Sequence, residues 1–174
     1  HEDPRRQRQM CIRDSYGSQP ANKLGYLTNV SEIFDDGLIY KDDNVEVTAF
    51  KNSHGDLEDS FGYLFETNDK KILFSGDTAV SENLKKYGKN LDILVHEVFS
   101  SETFENKTKE WQIYHKAHHT SSIDLGKIAN ELKPNKLVLS HILFWGASSE
   151  SLLSDISQNF NGTSIIAEDL LVID

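Results

Sequence analysis

Three apolar stretches of strand length, each beside a histidine or an aspartate, constrain this chain more than anything else in it. His54 stands before Phe61–Thr67, residues 71–75 run into Gly76-Asp77-Thr78, and residues 137–140 end on His141. β-branched and aromatic residues make rigid strands, and α/β folds gather ligand and catalytic groups at the strand ends, where the loops are open. Two imidazoles and a carboxylate suit a borderline cation such as zinc or manganese. The carboxylate also has a second oxygen with which to bridge two ions.

The pattern around these stretches alternates. Residues 45–50, 61–67 and 71–75 read as strands, with Asn68-Asp69 as a hairpin turn between the last two. Residues 81–89 read as a short polar helix, and 92–97 as a strand with the near-continuous apolar run of one covered on both faces. The clearest helix is 121–133, where Leu125, Ile128, Ala129 and Leu132 share a face, Ser121 or Ser122 caps the start and Pro134 closes the end. A strand at 136–140, a helix at 149–160 and a final strand pair within 163–173 complete the order. The expected class is α/β, a sheet covered by helices. Residues 16–40 read as irregular, with Gly17, Pro20, Gly25 and Asp35-Asp36-Gly37 as turn signals.

The first fifteen residues stand apart. Arg5 to Ser15 agree, codon for codon, with the in-frame translation of a transposon-type sequencing-library adapter, so residues 1–15 are expected to be non-native and to pack against nothing. The alternative is a basic arm that binds nucleic acid or membrane. The domain is then expected over 16–174, truncated on its N-terminal side. The chain has 18 Lys plus Arg against 28 Asp plus Glu, a net charge of −10. Every Arg and the single Cys lie in the first fifteen residues, so the remainder is more acidic still. That surface is a poor electrostatic footprint for a duplex-wrapping protein, though it leaves room for a nucleotide held through metal ions. Thiolate ligands and a disulfide framework are excluded from 16–174. No apolar run approaches the ~20 residues of a membrane span.

Each candidate residue has a plainer alternative. His54 could be a solvated loop histidine, Asp77 a helix cap and His141 a hydrogen-bonded core residue. His96-Glu97 closes a strand, and Glu97 could accept from the ring nitrogen of a metal-bound histidine or sit in an ordinary salt bridge. His118-His119-Thr120-Ser121 precedes the best helix. There His119 could hold or protonate an anionic group beside the backbone N–H groups of the helix start, or these residues could form only a cap. His115 reads as a surface residue.

Taken in order, His54, Ser60-Phe61-Gly62-Tyr63, Gly76-Asp77-Thr78, His96-Glu97, His119-Thr120-Ser121, His141 with Ile142–Gly146, and Glu168-Asp169-Leu170 resemble the second half of a metallo-β-lactamase-fold hydrolase of the ribonuclease Z-like branch. The resemblance implies an αββα sandwich with two divalent metal ions between its sheets, zinc first, with manganese or iron as alternatives. His54 would serve one ion, His141 the other, and Asp77 both. His119 would be the catalytic acid–base group, with His96, Glu97, Thr78, Thr120 and Ser121 supporting ligands or a substrate anion. The implied reaction is phosphodiester hydrolysis by a hydroxide held between the metals. The alternatives are a thioester, lactone or sulfate-ester hydrolase on the same fold, or a non-catalytic, metal-poor fragment.

Two departures bear on this. The family's early His-x-His-x-Asp-His run is absent, so the chain alone is expected to be inactive. Only about twenty residues separate His54 from Asp77, where tRNA-processing members carry a long insertion; this argues against extended tRNA binding and for a small anionic ester or nucleotide substrate. A homodimer is compatible with the sequence, and the cytoplasm is the default compartment.

Overall fold

The computed structural model describes residues 30–173. The chain divides into two units, His1–Ile33 and Phe34–Asp174. In the first, only residues 30–33 are described, and they have no regular structure. The expectation for residues 1–15 lies outside the described residues.

The second unit is built on one seven-stranded sheet whose spatial order is its sequence order. Strands β1 (Gly37–Lys41), β2 (Val45–Lys51), β3 (Phe61–Thr67) and β4 (Lys71–Phe74) are antiparallel neighbours. β5 (Ile93–Phe99), β6 (Lys136–Leu143) and β7 (Thr163–Ile166) then add in parallel to β4. Parallel neighbours need crossovers. These are α1 (Glu82–Tyr87), then α2 (Ser101–Phe104), α3 (Lys109–His118) and α4 (Ser122–Leu132), and finally α5 (Ser149–Ser157).

Pairing register decides which side chains meet the helices. Thr48 faces Leu64, Leu64 faces Leu73, Leu73 faces Leu94 and Leu94 faces Leu137, so these residues share one face. That face carries the core, where Leu73, Leu94, Val98, Leu137 and Leu139 pack with Leu84 of α1, Leu125, Ile128 and Ala129 of α4, and Leu152 and Ile156 of α5. Each fully buried aliphatic side chain contributes roughly 1.5–3 kcal/mol. Helix α4 lies close on α5 because residue 126 is glycine: a Cβ there would stand 2.7 Å from the Ile156 carbonyl oxygen. The opposite face is also apolar, with Tyr63, Phe65, Ile72 and Phe74 in adjacent register and Phe74 42% exposed.

The α/β class stands, with four differences in detail. Gly37–Lys41 forms β1 where the sequence reads as irregular, because it pairs along β2. Helices α2 and α3 occupy a stretch with no apolar periodicity. β6 runs on to Leu143, past its bulge. Only β7 forms at the C-terminal end; Glu168–Ile173 does not pair, and Leu170 takes a φ of +66°.

Candidate metal centre

β2, β4, β5 and β6 all point the same way, so the loops that follow them open on one edge of the sheet. His54 follows β2, Asp77 follows β4, Glu97 lies near the end of β5, and His141 lies in the last turn of β6. This is the carboxyl edge, where α/β sheets hold their ligands.

Gly76 sets the aim of Asp77. It has φ +62°, and a Cβ would come within 2.6 Å of the Phe61 carbonyl oxygen, so the sharp turn out of β4 requires glycine. The His54 loop is tied to the same turn. Ala79 N–H donates to the Ser53 carbonyl at 2.7 Å, Ser53 N–H to Thr78 Oγ1 at 3.1 Å, and the Asn52 amide to the Ser75 carbonyl at 2.7 Å.

His141 is aimed by a bulge. Glu97 pairs with Ser140 but Val98 with Ile142, which leaves His141 as the extra residue on β6, at φ +42°. A bulge bends the strand and redirects one side chain, and a non-glycine residue in the left-handed region is costly enough to need a reason. The redirected ring puts Nε2 3.6 Å from Asp77 Oδ2.

His119 arrives from the end of α3 and is held by Glu97, which is only 2% exposed. Glu97 Oε1 accepts the Thr120 N–H at 2.6 Å, and Oε2 lies 3.2 Å from His119 Nδ1. Thr120 Oγ1 donates to the Thr78 carbonyl at 2.7 Å, tying this loop to the Asp77 turn. With Nδ1–H donated to the carboxylate, His119 keeps a free lone pair on Nε2. His54 is set up alike: its Nδ1 is 2.7 Å from the His118 carbonyl, which can only accept, so Nε2 is free.

Asp77, His119 and His141 each offer a ligand atom, and all three lie within 4.8 Å of one another. The rings of His54 and His119 are 5.2 Å apart between centroids, and those of His119 and His141 are stacked at 5.8 Å. His54 therefore adjoins the cluster through His119 and is not one of the three. Two imidazoles, that of His119 with its Nδ1 held by Glu97, beside a carboxylate match what zinc, manganese or iron takes from a protein.

Other candidates fall elsewhere. His96, adjacent to Glu97 on β5, shares the helix face with Leu94 and Val98 and is fully buried. Its Nδ1 meets the Glu97 carbonyl at 2.6 Å, its Nε2 has no partner, and burial lowers its pKa. It supports no ligand. Ser121 is taken up as the cap of α4, where its Oγ accepts from Asp124 N–H at 3.1 Å and donates to Asp124 Oδ2 at 2.8 Å. With Ile123 N–H on Ser101 Oγ at 3.3 Å and Thr120 N–H on Glu97, the helix start is already satisfied from within. His115 is not a surface residue. It is half-buried between Trp111, at 3.6 Å, and Trp145, at 4.9 Å, and burial followed by nearby His119, His118 and Lys107 lowers its pKa. The readable signal was the spacing Trp111-x-x-x-His115-x-x-x-His119, one turn apart on a helix.

Comparison with known proteins adds a lineage to this geometry. The family profile described as "Beta-lactamase superfamily domain" matches residues 13–142. Proteins named Ribonuclease Z are similar: that of Archaeoglobus fulgidus is 27% identical over 106 residues, covering 60% of this chain and 32% of its own length. That of Leuconostoc mesenteroides is 33% identical over 106 residues, covering 59% and 31%. The chain thus spans about a third of the length of the curated relatives it matches. Among solved structures, the metallo-β-lactamase fold protein YhfI of Bacillus subtilis superposes with a TM-score of 0.63 at 20% identity, covering 75% of this chain and 50% of that one. The profile takes in most of the sheet and every residue of the cluster, and the chain belongs to the β-lactamase superfamily, with the metallo-β-lactamase fold.

Proposed function

We propose that this chain carries part of the active site of a divalent-metal-dependent hydrolase of the ribonuclease Z kind, acting on a phosphodiester. The convergence of Asp77, His119 and His141 within 4.8 Å carries this reading, in a chain whose relatives are named Ribonuclease Z. Asp77 and His141 would hold metal, with His54 beside them. When bound, the metal ions would supply an activated water and the charge that stabilises a developing oxyanion.

The protein's own part is positioning and proton transfer. Glu97 holds the His119 ring by Nδ1, so that Nε2 can carry a proton to a leaving oxygen. Thr78 and Thr120 lock the two loops together, so the Asp77 and His119 side chains keep their spacing. The short connection between His54 and Asp77 favours a nucleotide or short single strand over a whole folded RNA.

Calorimetric titration of the chain with Zn²⁺ and Mn²⁺, for wild type and for Asp77→Ala and His141→Ala, tests the site. Saturable binding that both substitutions abolish is expected. Binding indifferent to both would end the proposal.

A further inference from the structure

Helix α3 buries none of its residues fully, yet its C-cap residue is His119, a member of the metal cluster. Core packing therefore does not fix the end of this helix. The last carbonyls of an α-helix lack intrahelical partners and carry the negative end of its dipole. In α3 the His54 loop takes them up. Gly55 N–H donates to the Ala117 carbonyl at 2.8 Å, and His54 Nδ1 lies 2.7 Å from the His118 carbonyl. His119 N–H closes back on the His115 carbonyl at 2.8 Å. The loop caps the helix, and the helix end sets the tautomer of His54.

The side chain of His118 closes this junction. Gly55 has φ +59°, and a Cβ there would stand 2.0, 2.4 and 2.6 Å from Nε2, Cε1 and Cδ2 of His118, so the ring lies directly on the glycine backbone. Behind it the Tyr114 ring stacks at 4.1 Å between centroids and 25° between planes. His118 Nδ1 meets the Tyr114 carbonyl at 2.7 Å, one turn back, which sets the rotation of the ring. Tyr114 is 55% exposed and joins no core cluster; its ring backs His118 instead. The His54 ring meets that of His118 edge-on, at 5.0 Å and 88°. The loop itself is tightly folded, with Leu57 N–H on the His54 carbonyl at 3.2 Å.

The tautomer matters for the metal. A carbonyl only accepts, so the His54 proton sits on Nδ1 and Nε2 keeps its lone pair beside the cluster. A solvated neutral imidazole exchanges between both tautomers, and one of them blocks Nε2.

We propose that His118 is a positioning residue for His54. Its ring, wedged between Gly55 and Tyr114, holds the His54 loop on the last carbonyls of α3 and so keeps Nε2 of His54 free to take a metal. The proposal rests on the metal-centre reading above and adds to it a residue that touches no metal. One short turn, Ala117 to His119, then positions two imidazoles: the His118 carbonyl holds His54, and the next residue is His119 itself.

The test uses the whole chain, first with chelator and then with Zn²⁺. At pH ~8, where imidazole is neutral, nitrogen-15 shifts of the His54 ring are expected to show the proton fixed on Nδ1 in the wild type. His118→Ala empties the space over Gly55, and Gly55→Ala displaces the ring from the opposite side. Both should return His54 to a mixture of tautomers and weaken Zn²⁺ binding by ~10–100-fold in calorimetric titration. If one variant fails to fold, the other carries the same expectation. His118→Phe keeps a flat ring between Gly55 and Tyr114 and should restore both readings. A tautomer mixture already present in the wild type, or a proton that stays on Nδ1 in the alanine variants, overturns the proposal. So does a His118→Phe chain as impaired as His118→Ala. Mixed tautomers with unchanged Zn²⁺ affinity would leave the clamp standing and remove only the metal role given to His54.

Discussion

Glu97 and His96 are neighbours on one strand with opposite fates, and each can be tested alone. Glu97 accepts two hydrogen bonds, one of them from His119. Glu97→Gln keeps shape and the Thr120 contact but turns an N–H donor toward His119 Nδ1. The ring should then carry its proton at Nε2 instead, which impairs the proton-transfer role of His119. Nitrogen-15 chemical shifts of the His119 ring read the tautomer directly; an unchanged tautomer would contradict the role given to Glu97. His96 is buried, with its pKa lowered by desolvation. In the unfolded chain it protonates near pH ~6.5, whereas in the folded chain it resists. Stability should therefore be full above about pH 6.5 and fall as the unfolded state takes up the proton, levelling only below the folded pKa. Urea titrations with chelator present, wild type against His96→Leu, should show the wild type losing more stability between pH ~7 and ~5. Equal slopes would mean that the imidazole charges freely in the core. His54, Asp77 and His141 were legible as candidates because each sits beside a strand. The role of Glu97 toward His119 was not, since its partner lies 22 residues away.

Among the elements, those with a buried stripe could be read from the sequence and those without one could not. Helix α4 buries Leu125, Ile128, Ala129 and Leu132 at helical spacing and begins on its Ser121 cap. Helix α3 buries nothing fully, with Ile113 71% and Tyr114 55% exposed. Its signals are local: Thr108 accepting from Trp111 N–H, and Glu110 in the first turn. β1 was hidden because four of its five residues are exposed and only pairing with β2 defines it. The α4–α5 contact gives a prediction at this scale. Gly126→Ala should raise helix propensity by ~1 kcal/mol. Yet the added methyl meets Ile156 backbone at 2.7 and 3.2 Å, which a side-chain rotation cannot relieve. A net loss of roughly 1–2 kcal/mol in urea denaturation is expected; a gain would mean that the helices separate at little cost.

For the whole molecule, Asp77, His119 and His141 come together on one sheet edge from three separate segments of the chain. Metal should therefore stabilise by mass action. The melting temperature should rise with Zn²⁺ concentration, by the equivalent of about 2.7 kcal/mol at 100 times Kd, and chelator should reverse it. Turnover is a separate matter. With His54, Asp77, His119 and His141 but no His-x-His-x-Asp-His run, the chain is expected to bind metal and hydrolyse no phosphodiester. Joined to upstream sequence that carries such a run, it should show chelator-sensitive hydrolysis. There His119→Ala should slow turnover by ~10²–10⁴-fold while sparing metal content. Activity in the chain alone would contradict the division of labour proposed here. Removing residues 1–15 should leave the urea midpoint unchanged.

The sequential strand order also bears on folding time. Each strand of the sheet pairs with the one before it in the chain, so the sheet can grow from one side, with the crossover over residues 100–135 the longest loop to close. The groups of the centre then come into place in a fixed order: His54, Asp77, Glu97 and His119, and last His141, which needs β6 docked and its bulge formed. In stopped-flow refolding with Zn²⁺ present, ion uptake should lag the gain of sheet structure. Any metal captured earlier would sit on an incomplete set of donors and exchange quickly.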